Sequence, residues 1–355
     1  MTNAREVAMS QPSQPVRRSR ARSGIALGLA AAAVAVTAGA CSSNASGLGS
    51  PDHPSLKVGL IDSIGAVPFQ IGTSSTQHSF MDAGLTITVQ KFATQSDELG
   101  ALATGGIDIA YGEYAQFLDS SSQLANNGDI RVVSEGYDAS AGTIGLVTRS
   151  GTTLPKWGPD DATHRLFDCN GPFTIAVPDK HGIEYLALAG WLGSLGSALP
   201  SDCAAIVEVP NPAQIIGGVA AGRYSAAALQ EPYVTGSEIN AGLQMSQDLV
   251  TGNAASVPVD GYFATKAFVT QYPKTTAIFA AVMAKLQSES SERVIVETAL
   301  HQSNTIDPKV IAMMQLGSYP SVVLPAKLDI VLRLMDTAGT RTGQMDSSKL
   351  TDLNN

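Results

Sequence analysis

Short apolar runs alternate along this chain with stretches whose apolar residues recur every three or four positions. Leu56-Lys57-Val58-Gly59-Leu60-Ile61 predicts a first strand, and Leu85 to Phe92, where apolar and polar residues alternate, a second. Gln95-Ser96 opens a short helix that ends at Gly105, and Asp108 to Tyr111 follows as a strand. A helix from about Tyr114 to Leu124 and strands at Ile130–Tyr137 and Thr143–Thr148 come next. The same alternation returns in Phe173–Val177 (strand), Ile183–Leu195 (helix), Ala204–Val209 (strand) and a helix from Pro212 to Gly222. Gly261–Thr265 reads as a returning strand, and Ala267–Leu334 is mostly helical, with three- and four-residue spacing in Ala277–Leu286 and Leu328–Met335. Strands alternating with helices predict an α/β protein.

One unit occurs twice. Val219-Ala220-Ala221-Gly222 reads as a helix end with a glycine stop, Arg223 to Gln230 as a crowded small-residue strand, and Glu231-Pro232-Tyr233 as a polar turn. Leu102 to Tyr114 has the same order, ending in Glu113-Tyr114. Two copies predict two α/β lobes built on similar units. In open α/β sheets ligands bind beyond the carboxyl ends of the strands, which is where both acidic-aromatic turns fall.

Ala221 to Tyr233 resembles the "A-G-x-x-D-A-A-x-x-W-E-P" signature of the sulfonate, taurine and nitrate branch of ABC-transporter solute-binding proteins. Leu102 to Ala110 resembles that branch's "A-L-x-x-G-x-I-D-I-A" segment, and the likeness runs from about Leu56 to Leu334. Ser225 stands where the signature has an acid, and Gln230 where it has a tryptophan. The resemblance implies a two-lobed periplasmic-binding-protein type II fold, two doubly wound sheets joined by two crossing strands, with a ligand cleft between the lobes. It implies an importer's solute-binding protein that closes on a small solute and hands it to a membrane permease. The expected division is lobe 1 at residues 55–148 with 244–340, lobe 2 at 149–243, and a polar tail at 341–355.

The first forty residues stand apart. Arg17, Arg18, Arg20 and Arg22 precede the alanine-rich apolar run Gly24 to Ala40, the layout of a secretory signal. Ala38-Gly39-Ala40-Cys41 looks like a bacterial lipobox, so residues 1–40 are expected to be removed and Cys41 lipidated on the outer face of the cell membrane. Residues 41–54, rich in Ser, Gly, Asn and Pro, read as a flexible tether. Residues 1–40 hold five of the 22 basic residues and one of the 31 acidic ones, so the remainder is more acidic than the chain's net −9. That balance argues against nucleic acid or an anionic membrane surface as partner. Cys169 and Cys203 are left as a pair in an exported protein, where a disulfide between them is expected.

Candidate ligand groups follow from the turns. Asp179-Lys180-His181-Gly182 lies between a strand and a helix, where free N–H groups and the helix dipole favour an anion; the resembling family holds its ligand's acidic head there. Ser63, Ala66 and Val67 belong to the first loop, which faces the ligand in that family, with Gly65 allowing close approach. Glu113, Asp138 and Glu231 favour instead an amino or other cationic group, and Tyr114, Tyr137 and Tyr233 an aromatic ring or cation. For the carboxylates and tyrosines a structural role, a helix cap or a lobe contact, stands beside the ligand role. A Glu231→Gln change that altered affinity but not stability would separate the two.

No G-x-S-x-G elbow, H-E-x-x-H, P-loop or C-x-x-C motif is present, and no two histidines have metal spacing. Pyrimidine synthases of thiamine formation share the general layout, but their cysteine-rich motif is missing. The sequence therefore predicts no enzyme, no cofactor and no metal site. It predicts a lipid-anchored, monomeric protein that binds a sulfonate or taurine-like zwitterion, or else a heteroaromatic or amine solute; a ligand sensor without transport is the third class.

Overall fold

The computed structural model describes residues 48–120, 124, 129–152, 154, 173–194, 204–254, 256–341 and 345–353. The expected leader, Cys41 and the Cys169–Cys203 pair lie outside them. Among the described residues the strands are β1 Ser55–Leu60, β2 Thr86–Lys91, β3 Ala110–Glu113, β4 Ile130–Asp138, β5 Ile144–Arg149, β6 Phe173–Val177, β7 Ala204–Glu208, β8 Ala226–Gln230, β9 Leu243–Asp248 and β10 Pro258–Thr265. The early helices are α1 Val67–Thr73, α2 Ser79–Asp82, α3 Gln95–Ala103 and α4 Tyr114–Ser120. Those between β6 and β9 are α5 Ile183–Ser194, α6 Pro212–Ala220 and α7 Tyr233–Ala241. After β10 come α8 Lys266–Gln271, α9 Pro273–Glu289, α10 Arg293–Ser303, α11 Pro308–Met313, α12 Pro325–Ala338 and α13 Ser347–Thr351.

The strands form two sheets of one design. β1 and β2 pair in parallel, and a parallel bridge from Val58 to Ile109 joins them to the β3-β10-β4 sheet. The first half therefore runs β2-β1-β3-β10-β4, and the second runs β7-β6-β8-β5-β9. In each half the fourth strand is antiparallel to its neighbours, β10 in the first and β5 in the second. The chain crosses between halves through residues 139–143 and 249–257. β5 and β9, Ile144–Arg149 and Leu243–Asp248, pair with each other inside the second sheet.

The repeated unit is built alike in both halves. Helices α3 and α6 are capped at their starts by Thr94 and Asn211, whose side chains accept amides of the first turn. Each is followed by a left-handed glycine, Gly105 at φ 72° and Gly222 at φ 76°, which turns the chain into β3 or β8. β8 is alanine-rich and buried along Ala226–Leu229, so helices can sit close on both faces of its sheet. In the first half Phe69, Phe80, Tyr262 and Phe279 form one aromatic cluster, with Phe80 and Phe279 stacked at 5.4 Å.

Asp52 accepts the amides of Lys274 and Thr275 at the start of α9, and the His53 ring stacks on Tyr272 at 4.5 Å. Within the polar segment 345–353 Asp346 caps α13, Leu350 is buried, and Arg131 donates to the carbonyl of Asp352 at 2.9 Å. No helix among the described residues is long and apolar enough to cross a membrane.

Candidate functional site

The carboxyl ends of the strands meet where the two halves face each other, and Glu113 is at the centre. It ends β3 in the first half, and its side chain reaches the second. One oxygen accepts the amide of Ile183, the first residue of α5, at 3.1 Å; the other accepts the Gln230 side chain, at the end of β8, at 3.4 Å. Glu113 and Gln230 hold equivalent places in the two copies of the repeated unit, so the repeat brings its own ends together. Burial pushes the Glu113 carboxyl well up, and the charges of Glu184, Asp260 and Asp179 push it further.

Asp260 sits beside it. In the middle strand β10 it is in register with Glu113 on one side and Tyr137 on the other. Its carboxylate accepts the hydroxyl of Tyr111 at 2.8 Å and that of Ser63 at 3.4 Å. Burial raises it to about 6, against the pull of these two hydroxyls. Sequence reading missed Asp260; the available signal was an acid inside the apolar run Val257 to Ala264, since an unpaired charge is rarely left in a core strand. Glu98 and Glu184, also missed, are buried carboxylates raised by burial to about 8 and about 7.

The remaining expected residues divide by what they touch. Ser63 is in the cluster, its hydroxyl 2.8 Å from that of Tyr111. Ala66 and Val67 are fully buried in apolar clusters, where the loop winds straight into a 3-10 turn and α1. Tyr114 is likewise buried, its hydroxyl donating to Glu135 at 2.7 Å, with its ring against Phe263. Tyr137 packs on Tyr319 and accepts the amide of Gly317 at 2.5 Å. Asp138 is buried and paired with Lys327 at 2.9 Å; burial outweighs that lysine and still raises the carboxyl.

Glu231 is tied into the fold around it. It accepts the amide and hydroxyl of Thr235 in the first turn of α7, at 3.0 and 2.7 Å, and the amide of Gln315 at 3.1 Å. Removing it leaves the amide and hydroxyl of buried Thr235, and the amide of Gln315, without this acceptor, so a stability effect is expected. Glu231→Ala is expected to cost about 1–3 kcal/mol in urea unfolding, the scale of orphaned buried hydrogen-bonding groups. Tyr233, by contrast, is 41% exposed.

The turn before α5 keeps its place but not its free amides. Lys180 N donates to Glu208 at 3.4 Å, His181 N to the Asp179 side chain at 2.7 Å, and Gly182 N to the Asp179 carbonyl at 3.2 Å. Ile183 N meets Glu113 at 3.1 Å. Among the described residues no group of three or more His, Cys, Asp and Glu is arranged to hold a metal ion.

Two wound sheets of matching strand order, joined by two crossings, with polar groups gathered at the strand ends between them, define a two-lobed binding-protein fold. The model of the NMT1-like family matches residues 49–297, and the chain belongs to that family. Among solved structures, the ligand-binding component of an ABC-type import system from Staphylococcus aureus, with zinc bound, superposes with a TM-score of 0.65 at 13% identity, over 85% of this chain and 98% of its own. The periplasmic aliphatic sulphonate binding protein SsuA from Escherichia coli gives 0.65 at 14% identity, over 84% and 92%. The periplasmic nitrate-binding protein NrtA from Synechocystis gives 0.64 at 16% identity, over 86% and 88%. These likenesses establish the periplasmic-binding-protein fold that the sequence implied. No curated protein sequence matches the chain.

Proposed function

We propose that this protein is the extracytoplasmic solute-binding component of an ABC importer, held to the membrane through a lipidated Cys41, acting as a monomer and delivering one small organic solute to a permease. The observation that carries the reading is Glu113, which ends a strand of one lobe and is bonded to α5 and Gln230 of the other. A group so placed senses whether the lobes are together. A solute that bridged the same elements would favour the closed arrangement by its differential affinity for it. The structures likened to this chain, one a sulphonate-binding and one a nitrate-binding protein by their titles, support the class of function. The solute is read as a small zwitterion of taurine-like size, or a heteroaromatic amine, whose cationic part meets the carboxylates.

A thermal-shift screen against alkanesulfonates, taurine, nitrate, amino acids, polyamines and aminopyrimidines tests it. A true solute present at about 100 times its Kd adds about 2.7 kcal/mol of stability by mass action. A hit that titrates to one site in calorimetry supports the reading. A folded protein that responds to none of these classes counts against solute capture and leaves the sensor class.

A further inference from the structure

We propose that Glu113 is a specificity filter: its carboxylate occupies the N-terminal amide of α5 and so bars anionic head groups from the turn that begins that helix. The inference rests on the solute-binding reading above and adds the charge of the solute to it. A strand-to-helix turn attracts anions because its first amides lack partners and the helix dipole favours negative charge. Here each amide from Lys180 to Ile183 is already matched by an acceptor of the chain. The acceptors belong to three acidic residues, Glu208, Asp179 and Glu113. The first two cap locally, from the neighbouring strand end or the turn of the same lobe. Glu113 alone arrives from the other lobe.

That difference decides what can enter. A sulfonate or carboxylate approaching Ile183 would have to displace Glu113, which holds the Ile183 amide with one oxygen and the Gln230 side chain with the other, and would then lie among the carboxyl oxygens of Asp179, Glu184 and Asp260. An ammonium or other donor-bearing group meets the reverse situation, since it can take Glu113 as its acceptor without emptying the turn. The filter therefore selects solutes that present hydrogen-bond donors to the β3 end, and rejects simple alkanesulfonates and nitrate. Gln230 fits this role as the neutral partner that holds the second oxygen of Glu113.

The test uses ethanesulfonate as the anionic probe, titrated calorimetrically at neutral pH into the wild-type protein and into the Glu113→Ala and Glu113→Gln variants. Circular dichroism and melting confirm that each variant is folded, and Glu113→Gln keeps the side-chain shape should the alanine variant not fold. The expected result is that ethanesulfonate binds a variant tighter than the wild type by roughly tenfold, the scale of one hydrogen bond to a charged group regained when its internal competitor is removed. Equal binding to wild type and variants, or binding to none of them, overturns the filter. A wild-type protein that binds ethanesulfonate well also overturns it, yet confirms solute capture. A wild-type protein that binds amines, with no ethanesulfonate gain in the variants, likewise separates the two ideas.

Discussion

Raising the pH from about 5 to about 8.5 is expected to lower the melting temperature markedly, because buried carboxyls in this fold hold their protons more tightly than the unfolded chain does. Burial raises Asp260 to about 6, Glu184 to about 7, and Glu98 and Glu135 to about 8. The amide of Tyr111 opposes the shift at Glu98, and the hydroxyl of Tyr114 opposes it at Glu135. For a carboxyl with a raised folded value, the contribution is intact below the ordinary carboxylate range. It is lost as the pH climbs to the folded value and stays lost above it. Each unit of difference corresponds to about 1.4 kcal/mol, so several kcal/mol are at stake between about pH 4 and pH 8. Asp52 acts in the opposite sense: against burial, the hydrogen bonds from Thr275 and Lys274 hold it low, and its contribution fades only in acid. Melting followed by circular dichroism across this range checks the sign. Glu98→Gln, which keeps an acceptor for the Tyr111 amide and removes the charge, is expected to flatten the curve; a melting temperature that rises toward pH 8 contradicts the account.

Gly65→Ala is expected to remove solute binding and to destabilise the protein by about 1–3 kcal/mol, as an overpacked site does. A Cβ at this position would lie 2.6 Å from the Asp260 carboxylate and 2.8 Å from the Cβ of Tyr137. It would also press on the Tyr111 hydroxyl, so the Ser63–Tyr111–Asp260 cluster cannot keep its geometry. Glycine was expected here to let a ligand approach; what approaches it is the cluster itself. Urea unfolding measures the stability part, and calorimetry with a solute found by the screen measures the binding part. Unchanged affinity would place the Ser63–Asp260 cluster outside the site.

The fold was legible because its signals are local. The alternation of Leu85 to Phe92, the helix starts at Gln95 and Pro212, and the glycines after α3 and α6 each act within a few residues, and the helix ends and glycines recur in matching order. β9 was missed because Leu243–Asp248 has one buried apolar residue and five partly buried ones, so its pairing is set by β5 and not by its own pattern. The site was less legible for the same reason. Nothing near Glu231 in sequence announces Gln315, and nothing near Asp260 announces Ser63 and Tyr111. Glu113 was picked out correctly as a strand-end acid. Its partners, Ile183 and Gln230, could be found only once the two halves were placed face to face.

The position of β10 has a consequence for how the chain can assemble. It is the strand between β3 and β4, yet it is made of residues 258–265, after the whole of the second sheet. Residues emerging first during synthesis or export therefore lack the middle of their own sheet, with β3 and β4 unjoined. The second sheet is continuous from residue 144 to 248 and waits for nothing downstream. The half of the molecule that begins the chain is completed last, and until β10 arrives its open strand edges are where a chaperone, a protease or a second unfinished chain would take hold.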